Sequence, residues 1–197
     1  MEPGARPDRS VDGARALARA AHAGQVDKQG RDYFDAHLAP IAHGADALAA
    51  HMEFGAADRA ALGPRERGRL VAAAWLHDAL EDTATTSADL ASAGVDPRTI
   101  AAVESVTRRA DEPYEALITR ACADPIGRLV KLVDNTWNLT SNPDFARVDP
   151  ARARELREER YLPARQRLLD AAGLTDDSPA LQRMQRTLDG ERERLQG

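Results

Sequence analysis

Along most of the chain apolar residues recur three and four positions apart, the spacing of a helix that buries one face. Residues 11–26 show it as a narrow stripe of small side chains, Ala14, Leu17, Ala18, Ala21 and Ala23, suited to close packing, with a loop opening at Gln29-Gly30. Residues 35–53 repeat it with Leu38, Ile41, Ala42, Ala45 and Leu48, and Pro40 falls in the first turns, where a missing amide donor costs least. Gly63-Pro64 then opens a helix with Leu70, Val71, Ala74, Trp75 and Leu76, an apolar band that leads directly into His77-Asp78. Thr85-Thr86-Ser87 reads as a turn and N-cap before a short helix ended by Gly94, and Asp96-Pro97 caps a helix through Ile100, Val103 and Val106. Pro113 and Pro125 start the next two segments; the second, over 126–139, holds Leu129, Val130, Leu132 and Val133 and delivers Asp134. Asn142-Pro143-Asp144 reads as a break. After Pro150 the chain is charged with a sparse apolar stripe, and Ser178-Pro179 opens a last helix rich in Arg and Glu. These two terminal helices are expected on the outside of the domain. No repeat of fixed period is present.

Composition agrees with an all-α protein: Ala and Leu are abundant, Val and Ile sparse, and aromatics only 4%. A chain of 197 residues suits one domain with a helical tail. The expected division is a disordered lead over 1–10, a domain over 11–145, and a C-terminal helical extension over 146–197 packed on it. The net charge of −5 is interleaved rather than segregated, so nothing resembles a nucleic-acid footprint, though a local pocket can still attract a small anion. Cys122 is the single cysteine and forms no intrachain disulfide. No apolar run approaches the roughly 20 residues of a membrane span, and MEPGARPDRS lacks a signal peptide's apolar core. A cytoplasmic protein without a membrane partner is expected. The charged C-terminal helices suit either packing on the domain or a homo-oligomer.

Four metal-ligand candidates stand at or near the ends of apolar helical segments: His37, the adjacent His77-Asp78, and Asp134. Two imidazoles and two carboxylates make an N/O set suited to Mn²⁺, Fe²⁺, Co²⁺ or Zn²⁺, with positions left for water and substrate. A lone cysteine argues against a structural thiolate zinc site. His77 and Glu81 are four apart, as are Asp78 and Asp82, so a continued helical turn puts Glu81 and Asp82 where they reach attacking water. Asp134 and Asn138 repeat that spacing. His43 and His51 carry no such context and read as ordinary surface or core histidines.

HAGQVDKQGRDYFDAHLAPIA, AAAWLHDALEDTATT and RLVKLVDNTWNL resemble the successive blocks of the HD hydrolase domain of Rel/Spo-type alarmone enzymes and of free-standing small alarmone hydrolases. The resemblance spans roughly residues 14–140, in the family's order. It implies an HD-domain helical bundle over 11–145 with additional C-terminal helices. It also implies a Mn²⁺-dependent enzyme, other divalent cations being acceptable. Its substrate would be a small-molecule nucleotide: it would remove pyrophosphate from the 3′ position of ppGpp or pppGpp, leaving GDP or GTP.

Carried over residue by residue, the resemblance makes His37, His77, Asp78 and Asp134 metal ligands and Glu81 and Asp82 the acidic pair that activates or positions water. Asn138, Lys28 and Tyr33 match nucleotide-side residues. Arg31 and Lys131 are further cations for the phosphates, Lys131 serving equally as a structural ion-pair partner, and Trp137 suits base stacking or the core. This chain departs from the family pattern at several points. Asp27-Lys28 replaces an Arg-Lys pair, Leu38 replaces a proline, one extra residue separates Tyr33 from His37, and Asn135 and Trp137 stand near a usual arginine and histidine. These departures bear on specificity, and keep other readings open: another nucleotide such as ppApp, NADPH or a 5′-nucleotide, or a catalytically silent nucleotide-binding regulatory domain.

Overall fold

The computed structural model describes residues 9–52 and 63–197. The expected lead falls mostly on residues 1–8, and the expected end of the second helix on Glu53; both lie outside the described residues. Those described form an all-α bundle, with a single isolated antiparallel bridge between Val26 and Asp32.

The first helix, α1 (Arg9–Ala21), is shorter than the 11–26 expected, because Gly24 at φ +81° turns the chain and Tyr33 N–H donates to the Gln25 carbonyl, folding 25–33 into a tight hairpin. A π-helical turn, Phe34–Leu38, runs on into α2 (Ala39–His51). Next comes α3 (Pro64–Leu76), whose Leu70, Ala73, Ala74 and Leu76 are buried, followed by a turn at His77-Asp78 and the single-turn α4 (Ala79–Asp82). The caps expected around Thr86 and Asp96 are both made. Thr86 and Asp89 form a capping box for α5 (Ser87–Ser92), and the Asp96 side chain accepts from Arg98 N–H at the head of α6 (Pro97–Val106). Then follow α7 (Tyr114–Ala123) and α8 (Gly127–Phe145).

The break expected at Asn142-Pro143-Asp144 does not occur: Pro143 lies inside the last turn of α8. Tertiary bonds on both neighbours hold that turn. Asn142 Nδ2 donates to the Ala153 carbonyl at 2.9 Å, and Asp144 accepts from Arg192 Nε and Nη2 at 2.6 and 3.0 Å. Proline removes one hydrogen bond near a helix end, and these replace its contribution.

Beyond α8 come α9 (Pro150–Glu155), a second π turn (Leu156–Tyr161), α10 (Leu162–Ala172), ended by Gly173 in the left-handed conformation, and α11 (Pro179–Arg194). Each π turn ends two residues before a proline, Pro40 or Pro163, and contains the carbonyl, Ala36 or Glu159, that this proline cannot bond. The wider turn accommodates what an α turn cannot. α11 lies along α2, where Gly44 meets Leu188 so closely that a Cβ would crowd it, and α8 crosses the centre of the bundle.

Asp144 ties the far end of α11 to α8, and the hydrogen bonds from Arg192, helped by Gln196, hold its carboxyl below the usual range. A carboxyl depressed on folding adds stability above its unfolded pKa and loses it as pH falls through the folded value. We expect Asp144→Asn to lower the melting temperature at pH 7, and its deficit against wild type to shrink as pH falls below about 4, in melts followed by circular dichroism. A deficit independent of pH would contradict the ion-pair account.

Candidate metal centre

The π turn, the α3–α4 turn and the middle of α8 bring the predicted ligands together. His37, His77 and Asp134 each offer an atom such that all lie within 4.8 Å of one another. Asp78 Oδ2 sits 3.2 Å from His37 Nε2 and 3.0 Å from His77 Nε2, and Asp134 Oδ1 is 3.8 Å from His37 Nε2. His77 is 2% exposed, and its Nδ1 donates to the Ala74 carbonyl at 2.9 Å, so the neutral ring keeps its proton there and leaves Nε2 bare. That buried Nε2 makes no well-formed hydrogen bond, although it lies against Asp78. A bare nitrogen facing a carboxylate oxygen sets two lone pairs against each other, and a proton or a cation relieves it. Burial opposes protonation of His77, but Asp78 and Asp134 outweigh it and push its pKa up to about 9. The donor set therefore fits a divalent cation.

The ligand carboxylates are themselves held. Asp134 accepts from Lys131 Nζ at 2.7 Å on Oδ2 and from Asn138 Nδ2 at 2.6 Å on Oδ1, with both ion-pair partners largely buried. Desolvation works against the Asp134 charge, and Lys131 with the two histidines more than offsets it, so the carboxyl stays ionised. Asp78 accepts from Tyr33 Oη at 2.6 Å.

Glu81 lines the cavity, its Oε2 accepting from Arg108 N–H at 2.8 Å, whereas Asp82 lies outside the lining, with Oδ2 3.5 Å from Tyr33 Oη. Burial and the nearby charge of Asp78 raise the pKa of Asp82.

His37, Asp78 and Asp134 line a cavity of about 360 Å³, with His77 buried behind them; the volume is within the roughly 300–1,000 Å³ typical of small-molecule sites. Lys28 stands at its edge, 5.3 Å from the centre of the Phe145 ring, and desolvation lowers its pKa. Arg31 also lines it, but its Nε and Nη2 both donate to Asp27 Oδ2, at 2.9 and 2.7 Å. Asp27 Oδ1 meanwhile accepts from the backbone N–H groups of Gln29 and Arg31, so this carboxylate orders the loop. Trp137 borders the cavity yet is 2% exposed and belongs to the core; with so little free surface it is not placed to stack on a base.

Sequence reasoning missed the cavity residues that follow α8 and α6. Arg152, Leu156, Arg160 and Tyr161, from α9 and the second π turn, form part of the wall, as do Arg108 and Tyr114. Their charges look like a solvated helix face in the sequence, and no spacing rule singles them out. Within this lining Lys28, Arg108 and Arg160 make no ion pair among the described residues; Arg160 instead lies 5.7 Å over the Tyr114 ring, and Arg108 Nε donates to the Glu112 carbonyl.

The described residues thus form an all-α bundle with a buried His/Asp cluster between its helices. It is similar to a solved structure of a metazoan ortholog of SpoT that hydrolyzes ppGpp and plays a role in starvation responses, with a TM-score of 0.60 and 20% identity over 97% of this chain and 98% of that one. No family model matches the sequence, and no curated protein does. No helix among the described residues is long and apolar enough to cross a membrane.

Proposed function

We propose that this chain is a divalent-metal-dependent phosphohydrolase of phosphorylated nucleotides, acting on ppGpp or pppGpp to release the 3′ pyrophosphate. The observation that carries the reading is the meeting of His37, His77, Asp78 and Asp134 at a cavity lined by three of them, His37, Asp78 and Asp134, and by Lys28, Arg108 and Arg160, which make no ion pair among the described residues. A ligand that satisfies both parts is a polyanion with one phosphoryl group at the metal and further negative charge beyond it. The hydrolysis of ppGpp by the metazoan protein of similar fold supports the same substrate.

The four ligands would hold Mn²⁺ or a similar ion, and the chemistry such an ion supplies is acidification of water and neutralisation of phosphate oxygens. Lys131 and Asn138 keep Asp134 charged and oriented. Glu81 takes the proton from the attacking water, with Asp82 behind it. Lys28, Arg108 and Arg160 bind the remaining phosphates; Arg31 serves the loop, since its charge is already met by Asp27.

Asp27 also favours a second reading, because a carboxylate stands where a cation would face the nucleotide. An adenine alarmone or NADPH then becomes the substrate, with the same ligands and acids. Metal-stripped protein is to be incubated with ppGpp, ppApp and NADPH, with and without Mn²⁺, and products separated by anion exchange. Pyrophosphate release from ppGpp that needs Mn²⁺ is the expected result. Turnover of another nucleotide alone would move the substrate. No turnover of any of the three, with stoichiometric metal binding, would make the protein a silent binding module.

A further inference from the structure

Tyr33 matches a nucleotide-side residue in the resemblance and borders the cavity, yet its hydroxyl is engaged by one of the candidate ligands. Oη donates to Asp78 Oδ2 at 2.6 Å, with Asp82 Oδ2 3.5 Å away. Its ring is packed between two histidines: His22 is stacked on it at 5.3 Å and 22°, and His37 lies 4.9 Å away. His22 is 2% exposed, and its Nδ1 donates to Gln25 Oε1 at 2.7 Å. The Gln25 carbonyl in turn accepts from Tyr33 N–H at 2.9 Å, while Gln25 N–H donates to the His22 carbonyl at 3.0 Å. Residues 22–33 thus form a closed brace that fixes both the backbone and the ring of Tyr33.

His22 Nε2 is buried with no hydrogen-bond partner. An orphaned buried nitrogen is a cost that a phenylalanine would avoid, so packing alone does not account for an imidazole here. What the imidazole adds is the Nδ1–H bond to Gln25.

We propose that Tyr33 is a positioning residue of the metal centre rather than a nucleotide contact, holding Asp78 Oδ2 toward the two imidazoles, and that His22 is the buried brace that holds Tyr33. The inference rests on the reading of His37, His77, Asp78 and Asp134 as metal ligands. Outer partners that orient a ligating carboxylate typically change metal affinity about 10–100-fold when removed.

Tyr33→Phe keeps the ring and deletes only the hydroxyl; His22→Phe keeps a stacking ring and deletes only the bond to Gln25. Both are to be titrated with Mn²⁺ by calorimetry and with Co²⁺ by visible absorption, which reads coordination geometry without any substrate. Tyr33→Phe is expected to weaken Mn²⁺ binding about 10-fold or more and to alter the Co²⁺ bands. His22→Phe is expected to act in the same direction but less, and to add little on top of Tyr33→Phe in the double variant. Unchanged Mn²⁺ affinity and Co²⁺ spectrum in Tyr33→Phe, with KM raised for whichever nucleotide is turned over, would overturn the proposal in favour of a nucleotide contact. A wild-type protein that binds neither ion would instead overturn the metal-centre reading, and the brace with it.

Discussion

Asp134→Ala is expected to cost about 3–5 kcal/mol of folding free energy, beyond abolishing metal binding, because it strands Lys131. The ammonium lies 2.7 Å from Asp134 Oδ2 with 13% of its side chain exposed, and that pairing, against the cost of burial, keeps its pKa raised. With Asp134 gone, the charge stays in the wall unpaired or gives up its proton. The second substitution makes the test specific: Lys131→Met in the Asp134→Ala background removes the orphaned charge and is expected to recover most of the stability in urea unfolding, while Mn²⁺ binding stays lost. If the double variant is as unstable as the single one, Asp134 stabilises the bundle by something other than this pair. If Asp134→Ala still binds one Mn²⁺ with native affinity, its place among the ligands is wrong.

Glu81→Gln is expected to lower turnover by about 10²–10⁴-fold with Mn²⁺ affinity nearly unchanged, the loss that follows when a positioned base is removed. Asp82→Asn is expected to cost less. The difference comes from geometry: Glu81 is in the cavity lining and its carboxylate is fixed by the Arg108 amide, whereas Asp82 sits outside it, 3.5 Å from Tyr33 Oη and near Asp78. Single-turnover kinetics at saturating metal separate the two. Equal losses would place both acids on the water; a larger loss at Asp82 would reverse the assignment.

The parts of the molecule that sequence exposed most clearly are those where a local rule and the fold coincide. The apolar band of α3 ends at His77-Asp78, and the apolar run of α8 carries Asp134, so the helix periods alone place three candidate ligands on buried elements. The caps at Thr86 and Asp96 follow from side-chain chemistry that acts over two or three residues. What stayed hidden depends on distant partners. Pro143 is tolerated because Ala153 and Arg192 bond its neighbours, and neither is visible from a proline between Asn and Asp. Arg108 and Arg160 line one cavity only because the fold brings the segment after α6 and the second π turn to it, while their surroundings in sequence read as a solvated face. The position of Tyr33 in the motif was informative, but the direction of its hydroxyl, toward Asp78, is a property of the 22–33 hairpin that no local pattern shows.

The π turn at Phe34–Leu38 also bears on how such a site tolerates a change in chain length. An extra residue in an α-helix rotates everything beyond it by about 100°, enough to carry a ligand off its face. Here the turn closes on Phe34 O from Ala39 N–H, five residues on instead of four. The turn holds one residue as a local bulge ahead of Pro40, and the Tyr33 and His37 rings lie 4.9 Å apart beside the cluster while α2 packs along α11. A turn that already holds one residue as a bulge can take up a one-residue change in length locally, without rotating the helix beyond it.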